Sequence, residues 1–315
     1  MSKRSSIGTW AYTIGPYGSN PIPFDTVCDK LKELGFDGVE LGAFPPHPNP
    51  GNPNGPNEGW GGAMPEKSQR QELKARMAAK GLGFSGIAAN LWGEKLINTD
   101  DQTKYVAEFR KNSEFSLDAG IQSIRVDSVQ PPTILREVDY DTAMKRVVSA
   151  WKTCCDIAAA NGQYVAWEFE PGFAFNKPSD IVRIHDAVDK PNFGLMYDTC
   201  HGQMVGVNGA RQEGAKEVFP TQVDFIRFLS GRIFHLHLID SDNSCHKDAA
   251  GNDETSAHPP FGAGALNFDE LMPELVKASR LPHDWWTIDL CFYPDAWGAT
   301  ASCKKVLDQL ILKYG

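Results

Sequence analysis

Four short apolar runs in the C-terminal half of the chain each end in an acid or an imidazole. YVAWEFEP carries Glu168 and Glu170, FGLMYDTCH carries Asp198 and His201, IFHLHLIDSD carries His235, His237 and Asp240, and TIDLCFYP carries Asp289. Alternate residues of an extended strand share a face, so Glu168 and Glu170 point one way while Trp167 and Phe169 point the other. His235 and His237 are related in the same manner. Taken singly, each has an ordinary use: an Asp ending a strand caps the next helix, a lone inward histidine is a satisfied core residue, and one glutamate of the pair makes a structural ion pair. Taken together, they form an oxygen-rich donor set with one nitrogen. Three carboxylates converging on one cavity repel unless a cation sits among them, so the convergence predicts one divalent ion. Such a set suits Mn²⁺ first, with Mg²⁺, Co²⁺ or Fe²⁺ close behind, and accepts Zn²⁺.

The elements that must position these residues alternate regularly. Strands are expected at Ile7–Tyr12, Asp37–Leu41, Phe84–Ala89, Ser123–Asp127, Tyr164–Glu170, Phe193–Asp198, Ile233–Ile239 and Trp286–Leu290. Helices are expected near Phe24–Leu34, Glu66–Lys80, Thr99–Ala119, Tyr140–Ala160, Ser179–Val188, Gln222–Leu229, Phe268–Ala278 and Ala301–Lys313. Several end at a glycine suited to a left-handed C-terminal cap: Gly35, Gly81, Gly120 and Gly162. Eight strand–helix units predict a (β/α)₈ TIM barrel, one domain over residues 1–315. Two doubly wound domains would also alternate, but no glycine-rich phosphate loop follows a strand and no linker divides the chain. In a barrel the active site lies at the C-terminal ends of the strands, where the acids and histidines fall.

Composition narrows the function classes. The 315 residues are 41% hydrophobic and 23% charged, which is globular rather than disordered. The net charge of −9 argues against a nucleic-acid partner, which needs a basic face. No apolar run approaches a membrane span, and MSKRSSIGTW lacks the apolar stretch of a secretory signal, so a cytoplasmic protein is expected. The seven cysteines show no CxxC spacing and read as reduced thiols. Two loops stand out. Residues 44–65, FPPHPNPGNPNGPNEGWGGAMP, read either as a surface excursion or as a specificity loop over the barrel mouth; residues 240–264 are polar enough to contact a polyol.

The whole chain resembles the xylose-isomerase-like TIM barrels, the sugar phosphate isomerase/epimerase group that includes ketose 3-epimerases and inosose dehydratases. The resemblance is carried by GFDGVEL at strand two, PNFGLMYDTCH at strand six, IFHLHLIDSD at strand seven and the acid of strand eight. It implies one divalent ion held by Glu168, Asp198, His237 and Asp289, with Glu170 as the competing choice on strand five. It implies that His201 contacts substrate, that His235 lies one layer deeper than His237, and that Glu40 is an inward acid near the site. One position departs from the family pattern: strand eight offers Asp289 where Glu is usual. In the epimerases the acids of strands five and eight, here Glu168 and Asp289, flank the substrate as two bases. The shorter side chain points to Glu170, His201 or His258 for the second proton transfer.

The expected activity is a metal-dependent isomerase or epimerase acting on an unphosphorylated ketose or keto-sugar through an enediolate. Trp10, Tyr12, Trp92, Phe173, Trp285, Trp286 and Phe292 are candidates to wall the pocket, or to pack the core. Arg125 is the clearest inward cation, and the scarcity of others favours a substrate without phosphate. His201, His258, Trp10, Glu40 and Arg125 make up the expected substrate-contacting set. A lyase on a keto-cyclitol or 3-keto-glycoside is the alternative, since the same site can expel a β-leaving group. An AP endonuclease is opposed by the acidic charge. A metal-holding barrel without turnover, and self-association, remain further expectations to test.

Overall fold

The computed structural model describes residues 2–51, 63–247 and 253–315. Eight parallel strands form the sheet: β1 (Arg4–Ile7), β2 (Gly38–Gly42), β3 (Gly83–Ala88), β4 (Ser123–Val126), β5 (Tyr164–Glu168), β6 (Phe193–Asp198), β7 (Ile233–Leu238) and β8 (Trp285–Ile288). Their spatial order is β1-β8-β7-β6-β5-β4-β3-β2. The two edges meet: Asp37 N donates to Ser5 O at 3.0 Å, and Gly8 bridges to Glu40 in parallel. The sheet is therefore a (β/α)₈ barrel, as the alternating pattern predicts.

The helices described are α1 (Phe24–Glu33), α2 (Lys67–Ala79), α3 (Thr103–Ala119), α4 (Tyr140–Ala160), α5 (Pro178–Val188), α6 (Thr199–Gly206), α7 (Gln222–Phe228), α8 (Phe268–Ala278) and α9 (Ala296–Tyr314). Among the described residues no helix is long and apolar enough to cross a membrane. Helix α4 shows why they pack as they do. Its buried residues Ala143, Val147, Ala150, Trp151, Cys154 and Ala158 recur at helical spacing, and Asp139 caps its start by accepting from Thr142 N at 3.0 Å. Trp151 lies 4.9 Å from Trp167 of β5, ring centre to ring centre. Truncating such a buried tryptophan to alanine costs about 3–5 kcal/mol. Helix α3 ends at Gly120, whose φ of 78° is the left-handed cap that its place in the sequence predicts.

Three differences from the expected elements bear on the site. The first strand stops at Ile7, and Thr9–Tyr12 is a 3₁₀ turn instead of its continuation. Thr9 Oγ1 accepts from Gly42 N at 2.8 Å, which breaks the strand and turns Trp10 into the barrel mouth. Strands five and eight end earlier than expected, so Glu170 and Asp289 stand just beyond their ladders. Helix α6 is not among the expected elements because TCHGQMVG carries one glycine inside it and one at its end, poor helix formers. Tertiary packing needs them: a Cβ on Gly202 would lie 2.3 Å from Tyr197 Oη, and one on Gly206 would lie 2.1 Å from Phe225 Cδ1.

After β7 the chain adds a short antiparallel hairpin, Cys245–Lys247 with Asp253–Thr255, which the polar loop reading did not include. Of the two loops singled out above, residues 52–62 and 248–252 lie outside the described residues.

Candidate metal centre

Four strand ends bring four donors together. Glu168 is the last residue of β5, Asp198 the last of β6, His237 the penultimate residue of β7, and Asp289 the first residue beyond β8. Asp198 pairs in register with His237, and His237 with Thr287, two residues before Asp289. One ligand atom from each of the four lies within 4.8 Å of every other. His237 Nδ1 is 2.9 Å from Glu168 Oε1 and 3.6 Å from Asp289 Oδ2. All four residues are buried, with none more than 2% exposed. Of the two strand-five glutamates, Glu168 lies within this group of four, and Glu170 stands outside it beside Arg125 and His201.

The electrostatics are those of a cation cradle. Burial pushes the Asp198 carboxyl up, and Asp289 and Glu168 push it further while His258 opposes them. Burial also works against the Glu168 charge, but Arg125 and His237 outweigh it and hold the carboxyl low. Burial opposes the Asp289 charge as well, and His258 and His237 overcome it. Asp198 Oδ1 caps α6 by accepting from His201 N at 2.8 Å, whereas its buried Oδ2 has no hydrogen-bond partner. A buried carboxylate oxygen without a partner, facing two other acids and an imidazole, fits a divalent ion with oxygen and nitrogen ligands.

A second group borders the centre. Arg125 Nε lies 2.7 Å from Glu168 Oε2, and its Nη2 donates to Glu170 Oε1 at 2.7 Å. Glu170 Oε2 is 3.7 Å from His201 Nε2. Burial raises the Glu170 carboxyl, and Glu168 and Asp127 add to that against the Arg125 charge. Burial, then the neighbouring His258 charge, lowers His201 to about 3, so its imidazole is neutral. His258 Nδ1 is 3.4 Å from Asp289 Oδ1, and its ring centre is 4.7 Å from that of His201.

The aromatic candidates divide. Trp10 lies against His237, ring centres 5.5 Å apart, and donates its indole N–H to Asp289 Oδ1 at 2.8 Å. Trp92 stacks on Phe44 at 5.2 Å, stands 6.3 Å from Phe173 and donates to Asp127 Oδ2 at 2.5 Å. These rings border the mouth. Tyr12 and Trp286 are core instead: Tyr12 bonds Thr300 of α9, and Trp286 is fully buried within β8. Trp285 sits at the N-terminal end of β8 under the Arg4 guanidinium, away from the site. Phe292 follows β8 and is 57% exposed.

Glu40 requires a correction. It does not stand at the mouth to contact substrate. Its carboxylate is fully buried beneath the centre, Oε2 lying 2.7 Å from His235 Nε2 and 3.2 Å from His237 Nε2. Glu40 is the middle residue of β2, and its side chain turns inward to His235 and His237 rather than standing at the strand's C-terminal end. Arg125 is likewise engaged by acids on its own protein. His235 occupies the deeper layer, as expected, and joins a residue that the sequence reading passed over: its Nδ1 is 2.8 Å from His283 Nε2. His283 precedes β8 among polar loop residues, and only its place opposite His235 gives it meaning.

Solved structures repeat the architecture. The IolI protein with a bound zinc atom matches with a TM-score of 0.68 and 16% identity, over 99% of this chain and 99% of that one. D-psicose 3-epimerase from Clostridium cellulolyticum H10, solved with D-tagatose, matches with a TM-score of 0.66 and 15% identity, over 98% of each chain. A xylose isomerase domain protein from Planctomyces limnophilus gives a TM-score of 0.68 and 15% identity, over 100% of this chain and 99% of that one. At such identities the likeness is one of fold. Among proteins of curated function, none matches the chain in sequence. The family described as xylose isomerase-like TIM barrel matches residues 28–289, most of the chain and all four candidate ligands, and the chain belongs to that family.

Proposed function

We propose that this protein is a divalent-metal-dependent sugar isomerase or epimerase acting on an unphosphorylated ketose or keto-sugar. The observation that carries the reading is the buried set Glu168, Asp198, His237 and Asp289, with Glu170 and His201 at its edge. The reading is supported by the zinc in the IolI structure and the sugar in the epimerase structure, both on the same fold. A divalent ion held by the four donors would act as a Lewis acid toward adjacent carbonyl and hydroxyl oxygens of the sugar.

The chain's own residues supply the rest. Glu170, 3.7 Å from His201 and tied to Arg125, is placed to take a proton from the carbon beside the carbonyl. His201, neutral and adjacent, is placed to accept that proton from the Glu170 carboxyl and hand it back to the sugar. Arg125 balances the two glutamates so that neither is driven from the site. Trp10, Trp92 and Phe44 line the approach with apolar rings, suited to the C–H face of a sugar and to excluding water. No cluster of free cations or glycine-rich helix start faces the centre among the described residues, which favours an uncharged substrate.

A lyase on a keto-cyclitol or 3-keto-glycoside is the second reading, and one observation favours it. Asp289 Oδ1 already accepts from the Trp10 indole and from Cys291 N at 2.9 Å. Asp289 is therefore held as a fixed group, and proton handling falls to the Glu170 side, as a β-elimination allows. Incubating ketoses and keto-glycosides with Mn²⁺-loaded protein in D₂O separates the two by mass. Deuterium on a sugar carbon of otherwise unchanged mass supports the isomerase. Loss of water or an aglycone supports the lyase. Full turnover by ion-free protein would overturn both.

A further inference from the structure

We infer that a buried string, His283–His235–Glu40, fixes which nitrogen of His237 faces the metal centre, so that Glu40 and His283 are positioning residues for that ligand. This rests on the reading of His237 as a ligand.

The protonation order follows from donors alone. Trp285 N donates to His283 Nδ1 at 3.2 Å, so that nitrogen carries no proton. His283, held neutral by its burial, then carries its proton on Nε2, 2.8 Å from His235 Nδ1. His235 Nδ1 accepts, so the His235 proton is on Nε2, 2.7 Å from Glu40 Oε2. Thr287 Oγ1 also donates to that oxygen at 3.2 Å. Both nitrogens of His237 face carboxylate oxygens: Nδ1 is 2.9 Å from Glu168 Oε1, and Nε2 is 3.2 Å from the same Glu40 oxygen that His235 and Thr287 meet. An ion that takes the Nδ1 lone pair, on the side where Glu168 and Asp289 converge, leaves the ring proton on Nε2, beside the Glu40 carboxylate that can accept it. A fixed backbone amide at one end of β8 thus sets the tautomer of His235, whose Nε2 proton holds the Glu40 oxygen that lies beside His237 Nε2. Every member of the string except His283 is fully buried, so water offers no alternative partner. Outer hydrogen bonds of this kind orient a metal-bound histidine and raise its basicity.

The test uses full-length protein, zinc and ¹⁵N-labelled histidine. In the Zn²⁺-loaded protein, long-range ¹H–¹⁵N correlation is expected to show the His237 proton on Nε2 and the His235 proton on Nε2. Glu40→Gln is expected to raise the zinc dissociation constant roughly 10–100-fold, read by competition with a chromophoric chelator. His283→Leu, at the half-buried end of the string, is expected to shift His235 toward the Nδ1–H form and weaken zinc by a smaller factor. His283→Gln keeps an N–H donor and is expected to retain the wild-type pattern. A His237 proton on Nδ1 in the zinc-loaded protein, or a Glu40→Gln constant within twofold of wild type, overturns the inference. Failure of the wild-type protein to bind zinc or manganese would overturn the metal reading itself. Should Glu40→Gln not fold, the wild-type spectrum and the His283 pair decide the question.

Discussion

The indole Nε1 of Trp10 donates to Oδ1 of Asp289 at 2.8 Å, joining residues 279 apart in sequence at the lip of the barrel. The same oxygen accepts from Cys291 N at 2.9 Å, so Asp289 is held from two sides with Oδ2 turned toward His237. The Asp289 carboxylate is thereby aimed by its neighbours. Trp10→Phe keeps most of the ring and removes the donor. It is expected to weaken divalent-ion binding roughly tenfold with little loss of folding stability. An unchanged dissociation constant would show that the Cys291 amide alone aims the carboxylate.

Ion binding should stabilise the fold through Asp198, whose buried Oδ2 has no partner in the protein. With ion at a hundred times its dissociation constant, the wild-type protein gains about 2.7 kcal/mol. Thermal unfolding is therefore expected to shift up with Mn²⁺ and back down with chelator. Asp198→Asn is expected to melt at one temperature in both conditions. A wild-type melting temperature indifferent to Mn²⁺, Mg²⁺, Co²⁺ and Zn²⁺ would count against the centre.

The two strand-five glutamates should separate by function. Glu168 lies among the four donors, while Glu170 lies beside His201. Glu168→Gln is expected to lose ion binding and turnover together. Glu170→Gln is expected to keep ion binding and lose roughly 10²–10⁴ in kcat, the usual span for removing a general acid or base. Calorimetric titration of both variants with Mn²⁺ checks the split; equal loss of binding in the two would place Glu170 in the ligand set.

His283 gives the fold a pH dependence. Its burial holds it at about 2, against 6.5 in an unfolded chain. Below pH 6.5 the unfolded chain takes up a proton that the folded chain refuses, so stability falls as the pH drops. The loss is at most about 1.4 kcal/mol per pH unit, hence about 2 kcal/mol by pH 5. His283→Gln removes this contribution. Its urea midpoint is expected to change less between pH 7.5 and pH 5 than that of the wild-type protein; equal slopes would mean that His283 titrates normally in the fold.

The barrel was legible because its strands and helices each carry their own period, and the strand-end donors because four consecutive units repeat the same placement. Helix α8 matches its expected bounds, Phe268–Ala278, and β6 matches Phe193–Asp198. What the sequence hid was set by tertiary contact. The turn at Thr9–Tyr12 looks extended until Thr9 meets Gly42, and α6 looks like a loop until Tyr197 and Phe225 pack on its glycines. Glu40 was legible as an inward acid but its depth was not, because strand register around the barrel decides the layer. His283 stands in a loop 48 residues from His235, and no local pattern links them.

The last strand to emerge from the ribosome, β8, is hydrogen-bonded between the first, β1, and β7. While it is still in the exit tunnel, two parallel edges face each other across an empty slot, and three donors wait without Asp289. Capture of an ion by all four candidate donors would therefore follow the emergence of β8. Until that slot closes, the bare edges of β1 and β7 are the surfaces most open to wrong pairing with another chain. Early release during synthesis is thus a hazard of aggregation before it is a loss of catalysis.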